Sequence, residues 1–188
     1  KNKNLKNTAV IINEFGEVSL DHLLIRHTKE NIIELQNGCI CCSIQNDLRN
    51  TLLDLFYKIK ANNSKTVDRI IIETTGLADP LPISDTLLNC TELQKIYRLE
   101  NLITVVDGTN GLYTLKNQKE AIRQVFLASV IVLSKVDLLK DDEKNKLTDS
   151  IKAINSKPDL IFSSHGKVPL PILFSPKKIN FNKISWDL

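Results

Sequence analysis

Five short apolar runs, each meeting a polar or charged residue at its end or just past it, leave this 188-residue chain few folds to choose from. They are residues 8–13 (TAVIIN), 31–35 (NIIEL), 69–73 (RIIIE), 102–107 (LITVVD) and 129–133 (SVIVL). β-Branched side chains pack well on a pleated surface, and near-continuous apolar runs fit strands covered on both faces. Helical periodicity fills the gaps. Ile44, Leu48, Leu52, Leu55 and Ile59 recur at helical spacing, with Ser43 placed to cap that helix. Further helices are expected near 82–88, 111–127 and 141–154. This alternation predicts an α/β fold: a mostly parallel sheet with helices on both faces. Ligands of such sheets bind beyond the carboxyl ends of the strands. The polar sequences at those ends are 13–14, 73–76, 107 and 134–137.

The size suits one domain with an ordinary core. The net charge of +3 is small and scattered, which argues against a nucleic-acid partner. No apolar run approaches roughly 18 residues, so no membrane-spanning helix is expected. No secretory signal opens the chain. Four cysteines, three of them clustered, do not resemble a secreted disulfide framework, and a reducing cytoplasm fits better. Cys90 stands apart and reads as an inert thiol. The chain begins with Lys and contains no Met, so it reads as a segment of a longer protein.

Three motifs carry chemistry. In RIIIETTG (69–76) a buried strand ends in an acid, Glu73, with Gly76 three residues later. The acid can attend Mg²⁺, and a glycine amide can approach a γ-phosphate because no side chain intervenes. A plain strand-to-loop turn with an exposed acid is the alternative. In Ser134-Lys135-Val136-Asp137 the Asp can accept two hydrogen bonds from guanine, a pair that adenine does not offer. The Lys stem can lie across the base. A charged loop after a strand is the bland reading.

The third motif is Cys39-Ile40-Cys41-Cys42. Thiolates this close can share one soft or borderline metal ion, and the helix that starts at Ser43 would lower their pKa. Two or three sulfurs make an incomplete tetrahedral shell, which suits an ion that is handed on. A redox switch that forms a disulfide is the rival. His22 and His27 are expected to be solvated or core residues, and His165 in Ser163-Ser164-His165-Gly166 either lines the nucleotide pocket or is ordinary loop; none of the three is expected to be a ligand.

The blocks NEFGE (13–17), ELQNGCICC (34–42), ETTGLADP (73–80), YRLE (97–100), VVD (105–107) and SKVD (134–137) together resemble the CobW-like GTPases. The likeness runs in order from about Ala9 to Asp137. It implies a three-layer P-loop GTPase fold, related to the nickel chaperones of urease and hydrogenase, that delivers Zn²⁺, Co²⁺ or a related ion to a client protein. It implies Cys41 and Cys42 as metal ligands with Cys39 as a third or helper. It gives Glu73 to Mg²⁺ or the attacking water, Gly76 to the γ-phosphate, and Lys135 and Asp137 to guanine. Glu14 and Glu17 fall in a switch-like loop.

The chain departs from the family pattern in several places. The phosphate loop G-x-x-G-x-G-K-T and its strand, expected before Ala9, are not in the sequence. Ser134 stands where Asn or Thr is usual, and Ile12 where some relatives have Glu. Residues 1–188 are thus expected to be a partial GTPase domain, with 167–188 a final strand and the start of a linker. The reading is a cytoplasmic GTP hydrolase that binds GTP, Mg²⁺ and Zn²⁺ or Co²⁺ and serves a metal-requiring client. Water, a nucleotide oxygen or a second subunit of a homodimer would complete the metal shell. A metal reservoir indifferent to nucleotide, an activator acting by docking alone and a thiol redox sensor are the rivals.

Overall fold

The structure, a computed structural model, describes residues 7–13, 32–34, 43–61 and 67–177. The chain divides into two compact units, Lys1–Arg98 and Leu99–Leu188. Each has its own three-stranded sheet, and every strand pairing is parallel. Parallel strands with helices packed on them, as the sequence predicts, are thus found within each unit among the described residues.

In the first unit β1 (Thr8–Asn13) lies between β2 (Ile32–Glu34) and β3 (Arg69–Thr74). The two-residue period of a strand sends Ala9 and Ile11 to one face, where both are buried. That face is covered by α1 (Ser43–Ala61), α2 (Pro80–Asn89) and α3 (Thr91–Gln94). Leu48 and Leu52, one helical turn apart on α1, join Ile11, Ile83 and Leu93 in one core cluster. The Tyr97 hydroxyl donates to the Leu52 carbonyl at 2.8 Å and closes this unit onto α1. Helix α2 starts where Asp79 accepts a hydrogen bond from the Leu81 amide, with Pro80 in the first turn, where its missing N–H costs nothing.

The second unit is built around β5 (Val130–Ser134), flanked by β4 (Ile103–Asp107) and β6 (Asp159–Phe162). Its helices are α4 (Gly111–Asn117), α5 (Lys119–Leu127), α6 (Asp141–Ile154) and α7 (Leu170–Phe174). β5 is buried on both faces, as its unbroken apolar run requires. Ile131 and Leu133 pack with Val125, Leu147 and Ile151, whereas Val130 and Val132 pack with Ile161 and Leu173. Burying each such side chain contributes about 1.5–3 kcal/mol. Among the described residues β4 pairs only with β5, and it leaves Ile103 and Val105 41% and 65% exposed.

Two local expectations change. The helix expected over 111–127 is broken at Gln118, whose backbone is extended. Asn117 donates its side-chain amide to the Tyr113 carbonyl, and such local hydrogen bonds compete with helix continuation. Within residues 167–177 the chain forms helix α7, so the final strand expected in 167–188 is not in its described part, and the last described strand is Asp159–Phe162. Pro169 and Pro171 cannot donate to a strand ladder, yet both fit the entrance of a helix. Residues 178–188 lie outside the described residues. No helix among the described residues is long and apolar enough to cross a membrane.

Candidate functional site

Parallel pairing places the candidate residues at carboxyl strand ends, within each unit separately. In the first, Ile12 is opposite both Glu34 of β2 and Glu73 of β3, and Asn13 is opposite Thr74. β2 therefore ends at the same sheet edge as β3. Cys39 follows Glu34 by five residues in sequence. Cys39, Cys41 and Cys42 themselves lie outside the described residues, as do Glu14, Glu17, His22 and His27.

Glu73 is exposed at the penultimate position of β3. The chain then turns tightly, with the Ala78 amide donating to the Thr75 carbonyl at 3.0 Å, before Asp79 caps α2. Gly76 stands in this turn. A Cβ added to it would meet nothing within 4 Å, and its backbone is not left-handed. Neither packing nor backbone geometry within the described chain calls for glycine there. Space beside a backbone amide past an acid-ended strand is what close approach of a phosphate needs.

In the second unit Ser134, Lys135 and Asp137 are brought together with Asp107 and His165. Ser134 ends β5 and donates its hydroxyl to the Val106 carbonyl at 3.2 Å. Lys135 has a left-handed backbone (φ 54°, ψ 32°) at the start of a 3₁₀ turn, Val136–Leu138. Its Nζ donates to Asp107 Oδ2 at 2.6 Å. Gly108, next to Asp107, donates its amide to the Ser134 carbonyl at 2.9 Å. A Cβ on Gly108 would stand 2.6 Å from that carbonyl oxygen, so this glycine is fixed by close approach of two backbones.

Asp107 Oδ1 also accepts from the Thr109 amide (2.8 Å), the Thr109 hydroxyl (2.7 Å) and the Asn110 amide (3.2 Å). Partial burial pushes the Asp107 carboxyl upward. The hydrogen bonds from Lys135, Thr109 and Asn110 outweigh it and hold the pKa at about 2.

Asp137 is one-third exposed, with His165 Nδ1 3.9 Å from its carboxylate. The loop after β6 is held beside it by backbone bonds: Ser163 donates to Leu133 at 2.8 Å and accepts from the Val136 amide at 3.3 Å. His165 and Gly166 are both left-handed (φ 53° and 68°), which turns the loop at this point. Sequence reading assigned no role to Asp107 and set His165 aside as a ligand. For Asp107 the signal was its place at a strand end. For His165 the signal was its loop, read as able to line a nucleotide pocket, but 28 residues separate it from Asp137 and nothing local pairs the two.

Cys90 is not isolated as expected. It is half-buried between α2 and α3, and the Leu93 amide, joined by the Arg49 guanidinium, lowers its thiol pKa against the opposing effect of burial. Arg49 also pairs with Glu92. No group of three or more His, Cys, Asp or Glu fit to hold a metal ion occurs among the described residues.

Comparison with known proteins gives a consistent picture. Residues 1–162 match the family model described as CobW/HypB/UreG, nucleotide-binding domain. The chain is 39% identical over 167 residues to the zinc chaperone YjiA of Escherichia coli, covering 89% of this chain and 52% of that protein. It is 28% identical to zinc-regulated GTPase metalloprotein activator 1 of Dictyostelium discoideum, covering 94% and 44%. The crystal structure of Zn(II)-bound YjiA GTPase from E. coli superposes with a TM-score of 0.69 at 28% identity, over 90% of this chain and 52% of that one. The chain thus spans about half the length of these relatives.

Proposed function

This chain belongs to the CobW/HypB/UreG nucleotide-binding family, and from that premise we propose that it is the working part of a GTP-dependent metallochaperone. In this reading the protein binds GTP, hydrolyses it, and uses the cycle to hold and release Zn²⁺ or Co²⁺ for a metal-requiring client in the cytoplasm. The observation that carries the proposal is the family match itself. It spans in one stretch the cysteine loop, the acid–glycine turn and the SKVD loop. The names of the relatives, zinc chaperone and zinc-regulated activator, favour Zn²⁺ as cargo over Co²⁺.

The residues divide the work. Asp137 accepts from N1–H and the 2-amino group of guanine, and Lys135 lays its stem on the base. Ser134 holds that loop to β4 through the Val106 carbonyl. The Gly76 amide meets the γ-phosphate, supported by the empty space beside its Cα. Glu73 attends Mg²⁺ or orients the attacking water. Mg²⁺, when bound, would neutralise charge on the β- and γ-phosphates.

Cys41 and Cys42, with Cys39 as third or helper, bind the cargo as thiolates. The end of β2 at the same edge as Glu73 supports coupling, because β2, five residues before Cys39 in sequence, ends where the acid–glycine turn begins. GTP binding tightens the cysteine site, and hydrolysis loosens it. An ordinary allosteric coupling of about 1–3 kcal/mol corresponds to roughly 5–150-fold in affinity.

The test is a competition titration of the reduced full-length protein with Zn²⁺ and Co²⁺ against a chelator, with and without Mg²⁺ and a non-hydrolysable GTP analogue. A site that depends on Cys41 and Cys42 and tightens with nucleotide is expected. Tight binding indifferent to nucleotide would mean a reservoir, and loss of metal binding with gain of a reversible disulfide would mean a redox sensor.

A further inference from the structure

The two oxygens of Asp107 have different partners. Oδ1 accepts three hydrogen bonds from Thr109 and Asn110, which fix the carboxylate on the turn that follows β4. Oδ2 accepts from Lys135 Nζ at 2.6 Å. The β4–α4 turn needs only Oδ1, so the second oxygen adds nothing to it. What Oδ2 does is immobilise the head of a lysine that would otherwise sample many rotamers.

Lys135 is also fixed at its other end. Its left-handed backbone is uncommon for a residue with a Cβ, and it is held by the Leu138 amide donating to the Lys135 carbonyl at 3.1 Å. On its N-terminal side, Gly108 donates to the Ser134 carbonyl. A side chain held at both Cα and Nζ has its four-carbon stem confined between two fixed points.

We propose that Asp107 is the positioning residue of the base-holding lysine: through Oδ2 it pre-extends the Lys135 stem so that a purine face can settle on it without further ordering. This rests on the guanine reading of Ser134–Asp137. It adds a division of labour. Asp137 discriminates guanine by its edge, whereas the Asp107–Lys135 pair recognises any purine by its face. Ordering the stem before binding favours affinity, because the entropy of fixing it is lost on folding and not on association.

The experiment measures the affinities of GDP and of inosine diphosphate, which lacks the 2-amino group, for the full-length protein. The variants are Asp107→Asn, Lys135→Met, their double and Asp137→Asn. In Asp107→Asn the side chain keeps an oxygen for the turn, but its amide nitrogen cannot accept from an ammonium. Because the pair is partly exposed, Asp107→Asn is expected to weaken both nucleotides roughly threefold to tenfold. The GDP-to-IDP ratio stays at the wild-type value, and in the Lys135→Met background the same change has no further effect.

Equal weakening in both backgrounds would make Asp107 a turn stabiliser only and overturn the proposal, as would unchanged affinity. If wild type does not prefer GDP to IDP, and Asp137→Asn does not alter the ratio, the guanine reading itself fails. Should Asp107→Asn not fold, Asp107→Ser, whose hydroxyl can still accept from the Thr109 amide, carries the same comparison.

Discussion

The two units treat glycine in opposite ways. Gly108, in the second, is wedged against the Ser134 carbonyl, in a neighbourhood where Asp107, Lys135, Asp137 and His165 already engage one another. Gly76, in the first, has open space where a side chain would go, next to an exposed Glu73. The neighbourhood of Ser134–Asp137 is thus organised by its own contacts, whereas the acid–glycine turn keeps room beside the Gly76 Cα among the described residues. In the proposed function the first would select the nucleotide and the second would respond to its γ-phosphate.

The largest effect expected is on the cargo. Changing Cys41 and Cys42 together to Ser should reduce Zn²⁺ affinity by more than about a hundredfold, beyond the range seen when only outer-shell support is lost. Nucleotide affinity without metal should be unchanged, as chelator competition and fluorescent-GDP binding would show. An equal loss of nucleotide binding would mean that the cysteines support the fold.

Next comes the reader. Asp137→Asn should weaken GTP by roughly tenfold to a hundredfold, the order of a lost bidentate base contact. It should improve xanthosine triphosphate, whose 2-oxo group can accept from the new amide. Equilibrium binding of the two nucleotides measures both.

The sharpest test of the contrast applies one substitution in both units. Gly108→Ala forces a methyl group onto a backbone carbonyl and should destabilise the fold by about 1–3 kcal/mol, the usual cost of overpacking. Gly76→Ala meets no atom of the described residues and should leave denaturant stability equal or raised by about 0.4–1 kcal/mol through the unfolded chain. It should nevertheless abolish the difference between GTP and GDP in the zinc titration. If Gly76→Ala unfolds the protein and Gly108→Ala does not, the contrast is inverted.

The smallest effect concerns pH. The carboxyl of Asp107 is lowered from 3.8 to about 2, so its bonds add stability that is fully present above pH 4. That contribution is lost as the pH falls through about 2. Acid unfolding of wild type should therefore steepen between those values relative to Asp107→Asn, and parallel curves would show that the contacts add nothing.

Much of the fold was legible because strand burial is written in composition. VIVL, apolar at every position, had to be covered on both faces, and β5 is. The helix 141–154 was legible from its period and is found at Asp141–Ile154. The break at Gln118 was hidden because Asn117 acts through a single side-chain bond that leaves the apolar period intact. At the site, motif spacing named Ser134, Lys135 and Asp137. Asp107 and His165 reach them only through parallel pairing of β4, β5 and β6, and no local pattern encodes that.

The margin of the second sheet has a practical consequence. β4 carries two bare β-branched side chains, Ile103 and Val105, on a strand with a single neighbour among the described residues. Left unpaired, such a margin is a template on which strands from other molecules add. A preparation of this stretch of chain alone would therefore be sensitive to concentration and storage. Titrations run at high protein concentration would report self-association mixed with ligand binding, and a dilution series followed by light scattering would separate the two.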